Sequence, residues 1–194
     1  AHVYNIYWDN AQASINYSNP LARVNDPLDL WTSSQLRDGV VYRFVVRCQD
    51  YAGNEEENTD FVSAKADAIP PGNVTGLSSP SHRVAVWSDQ AQVTVRWIPA
   101  EDTGTGLAGY SVSWDISEET IPDEVMDIGS EVTTTAALSD NQYGQYFHIR
   151  PVDKAGNWSS EASHLGPFLI DTQPPQPPTN LKASPQAGGK VRLD

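Results

Sequence analysis

Asp50-Tyr51-Ala52-Gly53-Asn54 returns as Asp153-Lys154-Ala155-Gly156-Asn157, 103 residues further along the chain. Just upstream, Phe44-Val45-Val46-Arg47 returns as Phe147-His148-Ile149-Arg150 at the same spacing. Tyr4-Asn5-Ile6-Tyr7-Trp8 is matched by Tyr110-Ser111-Val112-Ser113-Trp114, 106 residues on. Asp67-Ala68-Ile69-Pro70-Pro71 is matched by Asp171-Thr172-Gln173-Pro174-Pro175, 104 residues on, with Leu77 and Leu181 following. Four blocks at nearly one period define an internal repeat. The repeating unit is about one hundred residues, the size of a single β-sandwich domain.

Inside the unit, apolar residues alternate with period two, the pattern of a strand with one buried face. Val40, Tyr42, Phe44, Val46 and Cys48 fall on one side of their segment, and Arg43, Arg47 and Gln49 on the other. Val93, Val95 and Trp97 alternate with Thr94 and Arg96 in the same way. The turns are written in Gly, Asn and Asp: Arg37-Asp38-Gly39, Ala52-Gly53-Asn54, Gly104-Thr105-Gly106 and Ala155-Gly156-Asn157. No amphipathic helix of useful length is present, and only Ile121 to Met126 admits a single helical turn. Proline cannot donate to a central ladder, so Pro70-Pro71 and Pro174-Pro175 mark stiff joints or edge positions.

With 12 basic residues against 25 acidic ones, the net charge is −13. Such a surface repels phosphate backbones and anionic lipid, so neither nucleic acid nor a membrane surface is expected as a partner. No apolar run reaches the roughly 20 residues that span a bilayer. The N-terminal Ala1-His2-Val3-Tyr4 has no leader character, so a signal peptide is expected to have been removed or to lie outside this piece. One cysteine, Cys48, excludes an intrachain disulfide and any cysteine-based zinc cluster. Three sequons, at Asn16, Asn73 and Asn157, are read as chance in a Ser/Thr/Asn-rich chain.

These blocks resemble the fibronectin type III family, in particular the divergent repeats of large secreted or cell-surface bacterial and archaeal proteins. The resemblance rests on Pro70-Pro71 followed by Val74-Thr75-Gly76-Leu77 as strand A, and on Val93 to Trp97 as strand B with its core tryptophan. Tyr110 to Trp114 is similar to strand C, and Phe147 to Asn157 to strand F with its following turn. Leu36 and Tyr42 fit that family's tyrosine corner, a phenol bonded to nearby backbone. In the second repeat Gln145 stands at the tyrosine position, so that corner is rebuilt or absent. The second repeat also carries a longer A–B segment, Ser79 to Gln92, containing His82 and Trp87. The resemblance implies an all-β fold of tandem immunoglobulin-like (fibronectin type III) antiparallel sandwiches. It implies a location outside the cell or at its surface, and a non-catalytic structural, spacer or adhesive role.

Family strand order divides the chain unequally. Residues 1–66 run from strand C to strand G, residues 67–170 make one complete domain, and residues 171–194 supply strands A and B of another. The simpler expectation is a piece of a longer array, with neighbouring domains as partners. The alternative is assembly with copies of the same chain, residues 179–194 completing residues 1–66 of the next as a head-to-tail filament. Against the filament stands the absent strand-B tryptophan, which would leave a hole in the completed core.

For chemistry the sequence offers little. His2, His82, His148 and His164 show no metal-ligand spacing and read as solvated or edge-strand residues. No nucleophile elbow, phosphate loop or dinucleotide fingerprint is present, so the chain reads as no enzyme. Cys48 reads as a small buried core residue. Asp50 and Asp153 read as turn residues whose carboxylates bond their own backbone, rather than as calcium ligands. No cofactor is expected; weak calcium binding by Glu101-Asp102, Glu118-Glu119 or Asp123-Glu124 is the minority alternative. Trp8, Trp97 and Trp114 fall at core positions. Trp31, Trp87 and Trp158 lie beside turns or in the long A–B segment. They are the candidate glycan contacts under the alternative function, a carbohydrate-binding accessory region of a secreted polysaccharide-degrading enzyme.

Overall fold

The computed structural model describes residues 3–12, 14–28 and 30–193. His2 therefore lies outside the described residues. Thirteen strands and no helix occur among them, and Ile121 to Met126 forms no helical turn. That segment is instead drawn across β8 (Leu107–Asp115), with Ser111 Oγ donating to Asp123 at 3.1 Å and to Asp127 at 3.3 Å.

The middle of the chain is a two-layer sandwich. One layer orders β5 (Thr75–Ser78), β7 (Gln92–Ile98) and β9 (Thr133–Ala137) side by side, all antiparallel. The other orders β6 (Trp87–Ser88), β11 (Ser163–Ile170), β10 (Gln145–Asp153) and β8, with β6 parallel to β11 and the rest antiparallel. Both inner faces feed one core. Val93, Val95 and Trp97 come from β7, Tyr110 from β8, Phe147 and Ile149 from β10, and Phe168 and Ile170 from β11. The alternation read in β7 is the burial observed: Val93 and Val95 are wholly enclosed, while Ile98, one step out of phase with Trp97, faces solvent. Aromatic rings tile the centre. Trp97 meets Tyr110 edge-on at 5.4 Å and stacks on Phe147 at 6.0 Å, and Trp114 approaches Phe147 at 4.9 Å.

Before the sandwich, residues 3–65 form one four-stranded antiparallel sheet ordered β2-β1-β3-β4. Its strands are β1 (Val3–Trp8), β2 (Ala22–Asn25), β3 (Val41–Gln49) and β4 (Val62–Lys65). The expected alternation in β3 is only half realised. Tyr42 is buried, but Phe44 and Cys48 are half-buried and Val46 is 44% exposed. Cys48 is thus not the enclosed core residue expected from its phase, because no second layer covers its face. Val45, on the opposite face, is the enclosed residue. On that face Glu55 gathers Asn5, Tyr7 (3.0 Å) and Arg47 (3.6 Å), and the Arg47 guanidinium lies 3.8 Å from the centre of the Tyr17 ring.

The tyrosine corner forms in the first sheet, where Arg37 N–H donates to the Tyr42 phenol at 3.2 Å. In the sandwich Gln145 rebuilds it, its Nε2 donating to the Ser139 carbonyl at 3.0 Å. After the sandwich, β12 (Ala183–Gln186) and β13 (Lys190–Leu193) form an isolated antiparallel hairpin. Its turn holds Gly188 and Gly189, both at positive φ, which a side chain would oppose.

Candidate functional site

The repeated Asp-x-Ala-Gly-Asn blocks fold as the same turn twice. Asp153 Oδ1 accepts from Ala155 N–H and Asn157 N–H at 2.8 Å each, and Oδ2 accepts from Asn157 Nδ2 at 2.8 Å. Asp50 accepts the same three bonds from Ala52 and Asn54, at 2.9, 2.8 and 2.9 Å. Both carboxylates serve the turn, as their spacing from Gly-Asn predicts.

The second turn does more, because the segment leaving the first sheet is built onto it. Asn157 Nδ2 also donates to the Asp67 carbonyl at 3.1 Å. The Asp67 carboxylate takes Thr105 N–H at 2.5 Å and the Thr105 hydroxyl at 2.7 Å. Those two bonds, side chain first, hold the Asp67 carboxyl below its ordinary value of 3.8. Lys65 Nζ donates to the Gly104 carbonyl at 2.8 Å and to that of Thr103 at 3.2 Å. Behind the joint, Ala68 N–H donates to Asp38 at 2.8 Å and Ala66 N–H to the Val40 carbonyl at 2.9 Å. Residues 65–68 are therefore bonded to the first sheet on one side and to the loops of the sandwich on the other. Sequence reading placed a joint at Pro70-Pro71 but missed the acceptor at Asp67, whose donors lie 38 residues away.

Asp67, Asp102 and Asp153 each bring one carboxylate oxygen within 4.8 Å of the others. Asp102 is engaged in its own loop, accepting from Gly104 at 3.0 Å and Gly106 at 2.6 Å. All three carboxylates thus already satisfy N–H donors, and the cluster is a hydrogen-bonded joint. Gly104 is needed here, since a Cβ at that position would overlap the Asp67 carboxylate. Gly104→Ala is expected to expel that carboxylate and free the first sheet to reorient, while leaving the sandwich folded. Small-angle scattering would read this as a broader distribution of sizes, at an unchanged melting temperature of the sandwich.

His148 departs from the solvated or edge-strand reading, whereas His164 is exposed. His148 is fully buried, and its Nδ1 lies 2.7 Å from His164 Nδ1 while its Nε2 lies 3.3 Å from Asp115. They meet because β10 and β11 pair in a register that sets His148 opposite His164. Burial, chiefly, pushes His148 below the ordinary histidine value, with His164 adding to this and Asp115 opposing it. His82 is held by Ser81 Oγ and the Gln90 carbonyl, both at 2.8 Å.

The three candidate tryptophans are not brought together. Trp31 lines a groove of about 760 Å3 on the first sheet, shared with Tyr4, Ile6, Phe44, Val46 and Val62. Trp158 is half-buried with the Arg150 guanidinium 5.6 Å from its ring centre. Only Trp87, on β6, is open, at 55% exposure beside exposed Val84 and Val86.

No protein-family model matches the chain. Over 153 residues it is 29% identical to Exoglucanase B of Cellulomonas fimi, a stretch covering 75% of this chain and 13% of that protein. Over 132 residues it is 25% identical to Chitinase A1 of Niallia circulans, covering 68% of this chain and 18% of that protein. The chain thus spans less than a fifth of either curated relative. Among solved structures, a two-domain fibronectin type III segment of chicken tenascin aligns with a TM-score of 0.38 and 16% identity. That alignment covers 84% of this chain and 83% of that one. Among the described residues no helix is long and apolar enough to cross a membrane.

Proposed function

We propose that this chain is a non-catalytic spacer region of an extracellular or cell-surface multidomain protein, holding its neighbours at a set orientation. The observation that carries this reading is the joint at residues 65–68. A passive linker would be solvated, whereas this one has its lysine, its carboxylate and its backbone all bonded across the boundary. The similarity to small portions of an exoglucanase and a chitinase supports a parent protein that acts on polysaccharide, with catalysis in other parts of it. Division into residues 1–66, 67–170 and 171–194 belongs to the same reading. Residual dipolar couplings test it. One alignment tensor should fit both the first sheet and the sandwich in the wild type, and two should be needed in Asp67→Ala. A wild type that already needs two tensors would refute the spacer reading.

One observation favours a second role, glycan contact, and it concerns Trp87 alone. An open indole flanked by exposed aliphatics can stack on a sugar face. Retention on cellulose or chitin should then be lost in Trp87→Ala and kept in Trp31→Ala and Trp158→Ala, whose rings are half-buried against Phe44 and Arg150. Absence of retention in the wild type removes this role.

A further inference from the structure

On the outer face of the sandwich, three neighbouring strands contribute to one group of side chains. The β10–β11 register sets His148 opposite His164, and the β10–β8 register sets Asp115 opposite Tyr146, on the same face as His148. Phe147 and Ile149, the alternate residues of β10, point the other way into the core. His148 Nδ1 and His164 Nδ1 approach to 2.7 Å, and His148 Nε2 lies 3.3 Å from Asp115 Oδ1.

The Asp115 contact decides which nitrogen of His148 keeps its lone pair. An ionised carboxylate can only accept, so Nε2 carries the proton and Nδ1 presents its lone pair to His164. Asp115 is itself held, accepting from Ser117 N–H at 2.7 Å. A carboxylate behind a neutral imidazole, with the other ring nitrogen aimed at a second imidazole, is the arrangement that orients histidine towards a metal ion. We propose that His148 and His164 bind a divalent transition-metal ion between their Nδ1 atoms, with Asp115 as the positioning residue.

Geometry and local charge favour this ligand. Without the ion, one proton on His164 Nδ1 bridges the two rings. Imidazole–metal bonds of about 2.0–2.1 Å, set at about 90–110°, hold two ligand nitrogens about 2.9–3.4 Å apart. The rings therefore open by only about 0.2–0.7 Å to admit the ion, and His164 is exposed and has room to move. The bridging proton passes to His164 Nε2, so both ligands stay neutral and no proton is lost. Water from the exposed side of His164 completes the coordination shell. Glu118, which accepts from the Tyr146 hydroxyl at 2.8 Å, adds a second carboxylate nearby, since the Tyr146 ring stacks on His148. Arg150, the next residue of β10 on this face, is paired with Glu124 at 3.2 Å and donates to the Ser159 carbonyl at 2.6 Å. Paired imidazoles select zinc, copper or nickel over calcium and magnesium, which favour oxygen ligands.

The inference goes beyond the spacer and glycan readings and touches neither Asp67 nor Trp87. Its test is a titration of the whole chain with zinc chloride at neutral pH, followed through the histidine ring nitrogens by NMR. Nδ1 of His148 and Nδ1 of His164 should shift together and saturate at one ion per chain, while His82 stays unmoved. His164→Gln, a change at an exposed position, should leave His148 Nδ1 unmoved up to millimolar zinc. Asp115→Asn should weaken zinc binding about tenfold with an unchanged circular dichroism spectrum. Calcium chloride should move neither ring. Rings that do not shift together in the wild type overturn the proposal. So does a His148 shift that persists in His164→Gln, or an equal response to calcium. Unchanged affinity in Asp115→Asn overturns the positioning role.

Discussion

Phe147→Ala is expected to destabilise the sandwich by about 3–5 kcal/mol, while Phe44→Ala, at the same repeat position, costs about half as much. The difference follows from what surrounds each ring. Phe147 is fully enclosed, with Trp97 stacked on it and Trp114 tilted against it, so its removal leaves a cavity that neighbours held by two sheets cannot fill. Phe44 touches Trp8, Tyr42 and Trp31 but borders the open groove, so part of its surface is wet before the substitution. Water then occupies much of the vacated space, and only the transfer of the covered part is lost. Urea unfolding of dilute protein, followed by the fluorescence of each unit, measures both. Equal costs would mean that the groove is covered in solution even by the lone chain.

Acidification should destabilise the sandwich through His148. The groups facing that ring are His164 at Nδ1, Asp115 at Nε2, the stacked Tyr146 ring at 6.5 Å and Ser113 opposite it on β8. With Nε2–H donated to Asp115, Nδ1 is left to accept from His164, a pattern that requires a neutral His148. Its folded value lies below the ordinary 6.5, so the unfolded chain takes up a proton that the folded one refuses. The contribution is therefore complete above 6.5 and is lost as the pH falls from there through the folded value. The loss is at most about 1.4 kcal/mol per pH unit for one proton. His148→Gln should flatten stability between pH 7 and pH 5. An acid limb of unchanged slope in that variant would assign the effect elsewhere. Asp115 acts in a separate window. Burial alone would raise its carboxyl, but the hydrogen bonds from Thr120 and Ser117 and the neighbouring His148 together hold it below 3.8, so its contribution disappears only below that value.

Much of the architecture was legible because it is encoded locally. Alternation in Val93, Val95 and Trp97 demands a strand with one buried face, and Asp153 before Ala-Gly-Asn demands a turn, whatever lies elsewhere. Recurrence of both at one spacing then identifies the unit. Where the reading erred, the missing information was not local. Cys48 has the phase of a core residue, yet phase shows only which side a residue faces and not whether a second layer covers that side. His148 and His164 looked unrelated because a separation of 16 positions conceals a cross-strand pair.

From the order of its residues alone, this chain determined an all-β fold, a period of about one hundred residues and the positions of its turns, since each depends on side-chain alternation and backbone preference within a few residues. Only the tertiary structure decided that Asp67 would be clamped by Thr105, that Trp31 would stand edge-on beside Phe44, and that His148 would be buried against His164. Those outcomes depend on which distant segments pack together and in what register, and no local preference carries that information.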